Sequence, residues 1–173
     1  MIAGGLLAGL ATAQAQPETG RPSESFLNAL TAFDQAWTTS GLAFTAAIFT
    51  SGAATGYGQY VPRDNTVFSP EDTLAVYAEP VGYAFRESGS GFAYELTASY
   101  RLLTLSGQVL AEQDNFATFS GNGRTKQREL SATLVYQFSG LPAGSYELET
   151  VFTDDIGGTT SSFRLPFTVT AGN

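Results

Sequence analysis

The chain has 173 residues, with 16 acidic and 8 basic side chains, a formal net charge of −8, and neither histidine nor cysteine. Because both residue types are missing, the sequence excludes disulfides, zinc or iron–sulfur sites of the usual kind, cysteine nucleophiles and Ser-His-Asp triads. We therefore expect no cofactor and no metal. An acidic chain whose single lysine is Lys126 is also a poor binder of polyanions, so we expect no nucleic-acid partner.

Residues 1–15 are predicted as a signal peptide. Ile2 to Ala11 is an apolar run of leucines and small residues, shorter than the about 20 residues that span a bilayer. Ala13-Gln14-Ala15 fits the small-x-small rule, so we expect cleavage after Ala15 and a periplasmic or secreted protein with no membrane span. No Lys or Arg precedes the apolar run, which predicts a true start upstream of Met1. The alternative is a buried N-terminal helix, which the three glycines of the run disfavour.

Residues 16–41 are predicted as a flexible leader and an amphipathic helix. The polar segment Gln16 to Ser23, with two prolines, is typical of a leader. The helix is predicted over Glu24–Thr38, with Ser23 as N-cap and Ser40-Gly41 as its end. One face of it carries the apolar residues at helical spacing, Phe26, Leu30, Phe33 and Trp37. We expect this face to pack over an edge or open end of the following domain; the alternative is a helix that docks on a partner.

Residues 42–173 are predicted as one β-domain. Seven or eight short strands alternate with turn clusters, and no βαβ alternation occurs, so the pattern favours an all-β antiparallel sandwich. Clean alternation of apolar and polar residues predicts one buried and one wet face, and Ser106-Gly107 predicts a two-residue hairpin. The predicted strands are Leu42–Phe49, Gly58–Val61, Thr73–Glu79, Phe92–Leu105, Gln108–Phe119, Glu129–Phe138, Ser145–Thr153 and Ser161–Thr170.

The segment Leu141-Pro142-Ala143-Gly144-Ser145-Tyr146 resembles a tyrosine corner, in which a tyrosine hydroxyl binds backbone a few residues upstream. With the alternating strand that follows and the closing stretch Phe163–Val169, residues 130–170 resemble the last strands of immunoglobulin-like and fibronectin type III-like domains of exported bacterial proteins. Phe68–Tyr77 is similar to the opening strand of such domains. The resemblance implies an immunoglobulin-like sandwich and no particular function. Together with the strand and helix patterns, it predicts an immunoglobulin-like sandwich of seven or eight strands with one N-terminal α-helix.

The middle of the chain is rich in aromatic residues, and the Gly-Tyr-Gly stretch around Tyr57 is typical of an exposed loop. Aromatic side chains offer large, flat contact areas to peptides and glycans. The sequence therefore predicts ligand-binding loops at Tyr57–Arg63 and Tyr83–Phe92; the alternative is that these aromatic residues fill a β core. The predicted binding residues are Tyr57, Tyr60, Arg63, Tyr83 and Phe92.

Three further clusters of charged residues can each be interpreted as a functional site or as ordinary structure, the plain interpretation. Asp154-Asp155 could offer oxygen ligands to calcium, but two adjacent carboxylates fall short of six to eight ligands and favour an ordinary turn. The basic run Arg124–Arg128 could bind an acidic partner or a membrane surface; a solvated hairpin tip is favoured. Glu147 and Glu149, about 7 Å apart on one strand face, could form a glycosidase pair, and a wet sheet face is favoured.

These observations favour an exported, non-catalytic interaction module that binds an unidentified protein or glycan through loops and aromatic side chains. Two alternatives stay open. The first is a carboxylate-based hydrolase of envelope glycans, which needs a cleft with two carboxylates about 5 to 10 Å apart. The second is a structural subunit that associates through an edge strand.

Overall fold

The computed structural model describes residues 20–89 and 91–172. The predicted signal peptide and the first half of the predicted leader, residues 16–19, lie outside the described residues. Within them, the chain is mostly β, with one helix, and no helix is long and apolar enough to cross a lipid bilayer. The elements in this part of the chain are α1 (Glu24–Ser40), β1 (Ala43–Thr50), β2 (Val67–Phe68), β3 (Leu74–Val81), β4 (Arg86–Ser88), β5 (Gly91–Thr104), β6 (Val109–Gly123), β7 (Ala132–Tyr136), β8 (Gly144–Asp154) and β9 (Thr160–Val169).

The strands form two sheets. The smaller sheet has the order β1-β3-β7, and both of its pairings are antiparallel. The larger sheet has the order β2-β9-β8-β5-β4, and β6 pairs along the edge of β5. The pairing of β2 with β9 is parallel, so the expectation of a purely antiparallel arrangement is wrong at this edge.

The two sheets share one hydrophobic core, to which β1, β3, β5, β7, β8 and β9 contribute buried residues. Aromatic rings join the sheets: Tyr136 of β7 lies 5.3 Å from Tyr100 of β5, and Phe44 of β1 lies 5.3 Å from Phe152 of β8. The predicted alternation is confirmed in β5, where Leu96, Ala98 and Leu102 are buried. The alternating pattern succeeds because one strand face must leave water while the other stays exposed.

The structure contains nine strands in its described part, against the seven or eight expected. The short strands β2 and β4 escaped prediction because two or three residues carry no periodicity. The predicted strand Gly58–Val61 is wrong: this stretch belongs to a loop, whose Gly56 and Gln59 form an isolated bridge. Its flanking glycines favour turns over a regular ladder.

The structure tests two local predictions, the N-cap of the helix and the hairpin turn between β5 and β6. The Ser23 hydroxyl accepts a hydrogen bond from the Phe26 amide at 3.2 Å, which confirms the N-cap. The β5–β6 hairpin is also confirmed, but its loop has three residues, because the Thr104 amide donates to Gln108 and the Gly107 amide donates back to Thr104. Gly107 adopts a φ of 86°, the left-handed conformation that closes this longer loop.

The tyrosine-corner geometry is present at the start of β8. The Tyr146 hydroxyl donates to the Pro142 carbonyl oxygen at 2.7 Å, four residues upstream. A phenol satisfies this carbonyl without burying a charge, which fixes the chain as it enters the larger sheet.

Candidate functional site

The last turn of α1 is attached to the β-domain through Trp37. Its indole N–H donates to the Tyr83 carbonyl oxygen at 2.8 Å, and its ring packs edge-on against the Tyr83 ring at 5.1 Å. Trp37 is 9% exposed and is the one buried residue of the helix. A buried indole needs a hydrogen-bond acceptor, and the segment after β3 supplies it.

A close backbone approach completes this attachment. A Cβ atom on Gly82 would lie 2.0 Å from the Gly41 carbonyl oxygen. Gly82 also has a φ of 74°, a conformation that favours glycine. Only glycine therefore lets the chain after β3 pass directly beneath the end of α1.

Residues 124–130, here called the basic segment, also contact α1, at Phe33, Asp34 and Trp37. The Arg128 guanidinium lies 4.9 Å from the Phe33 ring centroid and 5.4 Å from that of Trp37, and it forms an ion pair with Asp34. The Lys126 ammonium lies 4.0 Å from the other Asp34 oxygen. The expectation of a solvated hairpin tip is therefore wrong for Arg128, which stacks on two aromatic rings of the helix, and for Lys126, which lies near Asp34. Arg124 is exposed, as expected.

The first turns of α1 present an uncovered apolar surface. The exposed fractions of its four large apolar residues are 45 to 53%, a set here called the apolar stripe: Phe26, Leu27, Leu30 and Phe33. The expected packing of the whole helical face on the domain is therefore confirmed for Trp37, holds in part for Phe33, which contacts Arg128, and is wrong for Phe26 and Leu30.

A groove runs between the helix and the basic segment. Its volume is about 450 Å³, and it is lined by Phe33, Tyr94, Lys126, Gln127, Arg128, Glu129 and Leu130. A second cavity of about 260 Å³ lies beneath the end of the helix, with Trp37, Phe85, Lys126 and Asp154 among its lining residues. Lys126 lines both spaces.

Two predicted binding residues lie on this side of the molecule. Tyr83 is 1% exposed, and its hydroxyl donates to the Gln127 carbonyl oxygen at 2.6 Å. Burial raises the pKa of Tyr83 well above its usual value. The expectation of an exposed Tyr83 is wrong, because this ring supports Trp37 from within the core. Phe92 is half-buried, and the Lys126 ammonium lies 5.5 Å from its ring centroid.

The other three predicted residues belong to the loop between β1 and β2, which folds back over β3. Tyr60 stacks on Tyr77 at 4.1 Å, and the Gly58 amide donates to the Tyr77 hydroxyl at 2.7 Å. Tyr57 stays 38% exposed. Arg63 lies 4.1 Å over the Phe68 ring centroid and donates to the Val67 carbonyl oxygen. The five predicted residues thus do not form one exposed aromatic surface.

Asp154 and Asp155 differ in burial and in hydrogen-bond partners. Asp154 is 1% exposed, and its carboxylate accepts hydrogen bonds from the backbone amides of Ala84, Ile156 and Gly157 at 2.7 to 3.1 Å. Asp155 instead accepts from the Thr97 hydroxyl at 2.6 Å. Asp154 holds its own turn and the segment next to Tyr83, as the plain interpretation predicts. In the described residues, no three acidic side chains gather as around a metal ion.

The carboxylates of β8 are bound by arginines on the outer face of the larger sheet. Arg164 contacts Glu147 at 3.5 Å and Glu149 at 3.0 Å, and Arg101 contacts Glu149 at 2.5 Å. Glu149 is 5% exposed, so the expected wet face is wrong at this residue. Both carboxylates face cations on an open strand ladder, an arrangement typical of an ion-pair network.

The sequence analysis did not predict that the basic segment contacts α1. Asp34 and Arg128 are separated by 94 positions, so no local spacing could pair them. The available signal was compositional: three of the eight basic residues fall within Arg124–Arg128.

Comparisons with known proteins add little to this geometry. No protein-family model matches the chain, and no curated protein matches it significantly. Among solved structures, the chain aligns with Spo0M, a sporulation control protein from Bacillus subtilis, at 12% sequence identity and a TM-score of 0.36. The alignment covers 77% of this chain and 51% of that one, so this chain spans about half the length of Spo0M. A likeness at this level carries no argument about family or function.

Proposed function

We propose that this protein is an exported, non-catalytic interaction module, built on an immunoglobulin-like sandwich, that binds a protein partner through α1. The observation that carries the proposal is the apolar stripe, which is about half exposed while the end of the same helix is firmly attached. The binding surface differs from the predicted aromatic loops, because Tyr83 is buried and Tyr60 stacks on Tyr77.

The apolar stripe resembles the contact face of helices that bind in an apolar groove of another protein. Such helices present side chains at i, i+4 and i+7, the spacing of Phe26, Leu30 and Phe33. Large apolar residues that cluster on a surface mark interaction sites more often than isolated ones do. The Trp37 attachment holds the stripe in a fixed direction, which lowers the entropy cost of binding.

The immunoglobulin-like assignment is supported by strand order and by the tyrosine corner. The antiparallel neighbours β5, β8 and β9 follow the order of strands C, F and G in that fold, and β3 with β7 follows B and E. Tyr146 lies near the start of β8, where strand F carries its corner tyrosine. Export is supported by the apolar run and the Ala-Gln-Ala site of the sequence. The mass of the protein recovered from its producing cells tests export, with cleavage after Ala15 expected.

Site-specific photo-crosslinking tests the binding proposal. A photoreactive residue at Leu30, in the cells that produce the protein, is expected to give a discrete adduct with another protein. The matched control is the same residue at Asn28, which is exposed and lies about 200° around the helix from Leu30. Equal adducts from both positions, or none from Leu30, would overturn the proposal. An adduct of twice the chain mass with purified protein would assign the stripe to self-association instead.

One observation favours a structural subunit as the second candidate. Among the described strands β6 pairs with β5 alone, and its last eight residues, Phe116–Gly123, carry no charge. An uncharged edge strand can pair with a further strand. Light scattering over a range of concentrations tests this, and Thr118→Lys, on the exposed edge, is expected to abolish any oligomer.

A further inference from the structure

We propose that the groove between α1 and the basic segment receives an acidic residue of the partner. In this arrangement the Lys126 ammonium binds the partner's carboxylate, while a neighbouring apolar side chain lies between Phe33 and Tyr94. The inference deepens the proposed function and rests on it, because it names the chemistry of the partner segment.

The groove has the size and lining of a side-chain site. Its volume of about 450 Å³ falls within the range of ligand pockets. Phe33, Tyr94 and Leu130 supply apolar walls, and Lys126 and Arg128 supply the cations. Phe33 belongs to both the groove and the apolar stripe, so the two surfaces are continuous.

Lys126 has the free donor capacity that an anion requires. An ammonium group donates three hydrogen bonds, but its contact with Asp34 is long, at 4.0 Å. Arg128 is bound more closely to the other Asp34 oxygen and stacks on two rings, so it is the less available cation. Glu129 also lines the groove and opposes an anion; Arg124, two positions before Lys126, adds a further positive charge to the same segment.

The size of the whole surface favours a protein segment over a small molecule. From Phe26 to Phe33 the stripe extends about 10 Å along the helix, and the groove continues beyond it. A partner that covers the stripe brings its own side chains to Lys126. The protein has a net charge of −8. An acidic partner segment is therefore attracted to the positive basic segment and repelled by the overall charge of the protein.

A pair of short peptides tests the inference without the natural partner. The probes are acetyl-Phe-Glu-Leu-amide and acetyl-Phe-Gln-Leu-amide, titrated into the isotope-labelled full chain while the backbone amide signals of residues 124–130 are followed by NMR. We expect saturable shifts with the Glu peptide, with a dissociation constant of about 1 mM to 10 mM, and about threefold to fivefold weaker binding of the Gln peptide.

Two variants of equal net charge provide the control. Lys126→Gln is expected to bind both peptides equally weakly. Gln108→Glu also lowers the net charge by one, but it lies past the far end of β5, about 33 Å along the strand from Tyr94, and is expected to keep the preference for Glu. The Trp37 indole signal verifies that both variants keep the helix attached.

The outcomes separate this inference from the proposed function. Equal affinity for both peptides, shifts confined to another surface, or no shift up to about 20 mM peptide would overturn the acidic-residue inference. An intact Leu30 adduct beside any of these results would leave the interaction module standing with a neutral partner segment. A selective acid site without a Leu30 adduct would overturn the role of the stripe alone.

Discussion

The two ends of α1 carry the same apolar spacing and have opposite surroundings. At its C-terminal end Trp37 is buried, hydrogen-bonded to Tyr83 and stacked beneath Arg128. At its N-terminal end Phe26 and Leu30 are about half exposed. A 3.6-residue period therefore predicts which side chains share a face, but remote parts of the chain decide which of them are covered.

Replacing Trp37 tests the attached end and has the largest expected effect. Trp37→Ala removes a buried ring and leaves the Tyr83 carbonyl without its donor, so we expect the free energy of unfolding to fall by about 3 to 5 kcal/mol. Urea unfolding followed by circular dichroism measures it. Trp37→Phe keeps most of the ring but loses the N–H, and should cost less. A loss below about 1 kcal/mol for Trp37→Ala would contradict the attachment.

Replacing Asp154 tests the buried turn that holds the segment next to Tyr83, beneath the attached end of α1. Its carboxylate accepts three backbone amides, one of them from Ala84 next to Tyr83. In Asp154→Asn one oxygen becomes an N–H₂ donor that faces amide donors, so we expect a loss of about 2 to 3 kcal/mol. Asp155→Asn, on the exposed neighbour, is the matched control and should cost less than about 1 kcal/mol. Equal losses for both would show that the turn does not depend on the buried carboxylate.

Sequence patterns predicted the local parts of this fold well. The Ser23 cap, the alternation of β5 and the Tyr146 corner each depend on residues a few positions apart, and each is present. The two short strands β2 and β4 were missed because their pairing depends on strands far away in the sequence.

The candidate site was harder to predict, because its contacts are long-range. Asp34, Tyr83 and Arg128 meet around one end of the helix although they lie far apart in the chain. Aromatic richness predicted a binding region, but the residue type does not reveal whether a ring such as Tyr83 faces water or Trp37. Exposure is decided by tertiary packing alone.

The Tyr83 hydroxyl links the attached end to the basic segment and gives a smaller, pH-dependent effect. Tyr83→Phe removes its bond to the Gln127 carbonyl and should cost about 1 kcal/mol at pH 7. Burial raises the pKa of Tyr83 above the usual 10, so the folded protein holds a proton that the unfolded chain releases. Stability should therefore fall as pH rises above about 10, and fall less steeply in Tyr83→Phe. Parallel slopes from pH 9 to 11 in urea unfolding would contradict the buried phenol.

The exposed end gives the smallest expected effect and the sharpest contrast with Trp37. In Phe26→Ser with Leu30→Ser, the lost side chains are about half exposed, so the pair should cost no more than about 1 kcal/mol. Urea unfolding measures this, with Leu42→Ser, at a residue 8% exposed, as the buried control. A loss that matches Leu42→Ser would mean that the stripe is covered in the isolated protein. A small loss would separate the two ends of the helix, because Trp37 would then stabilise the fold while Phe26 and Leu30 would not.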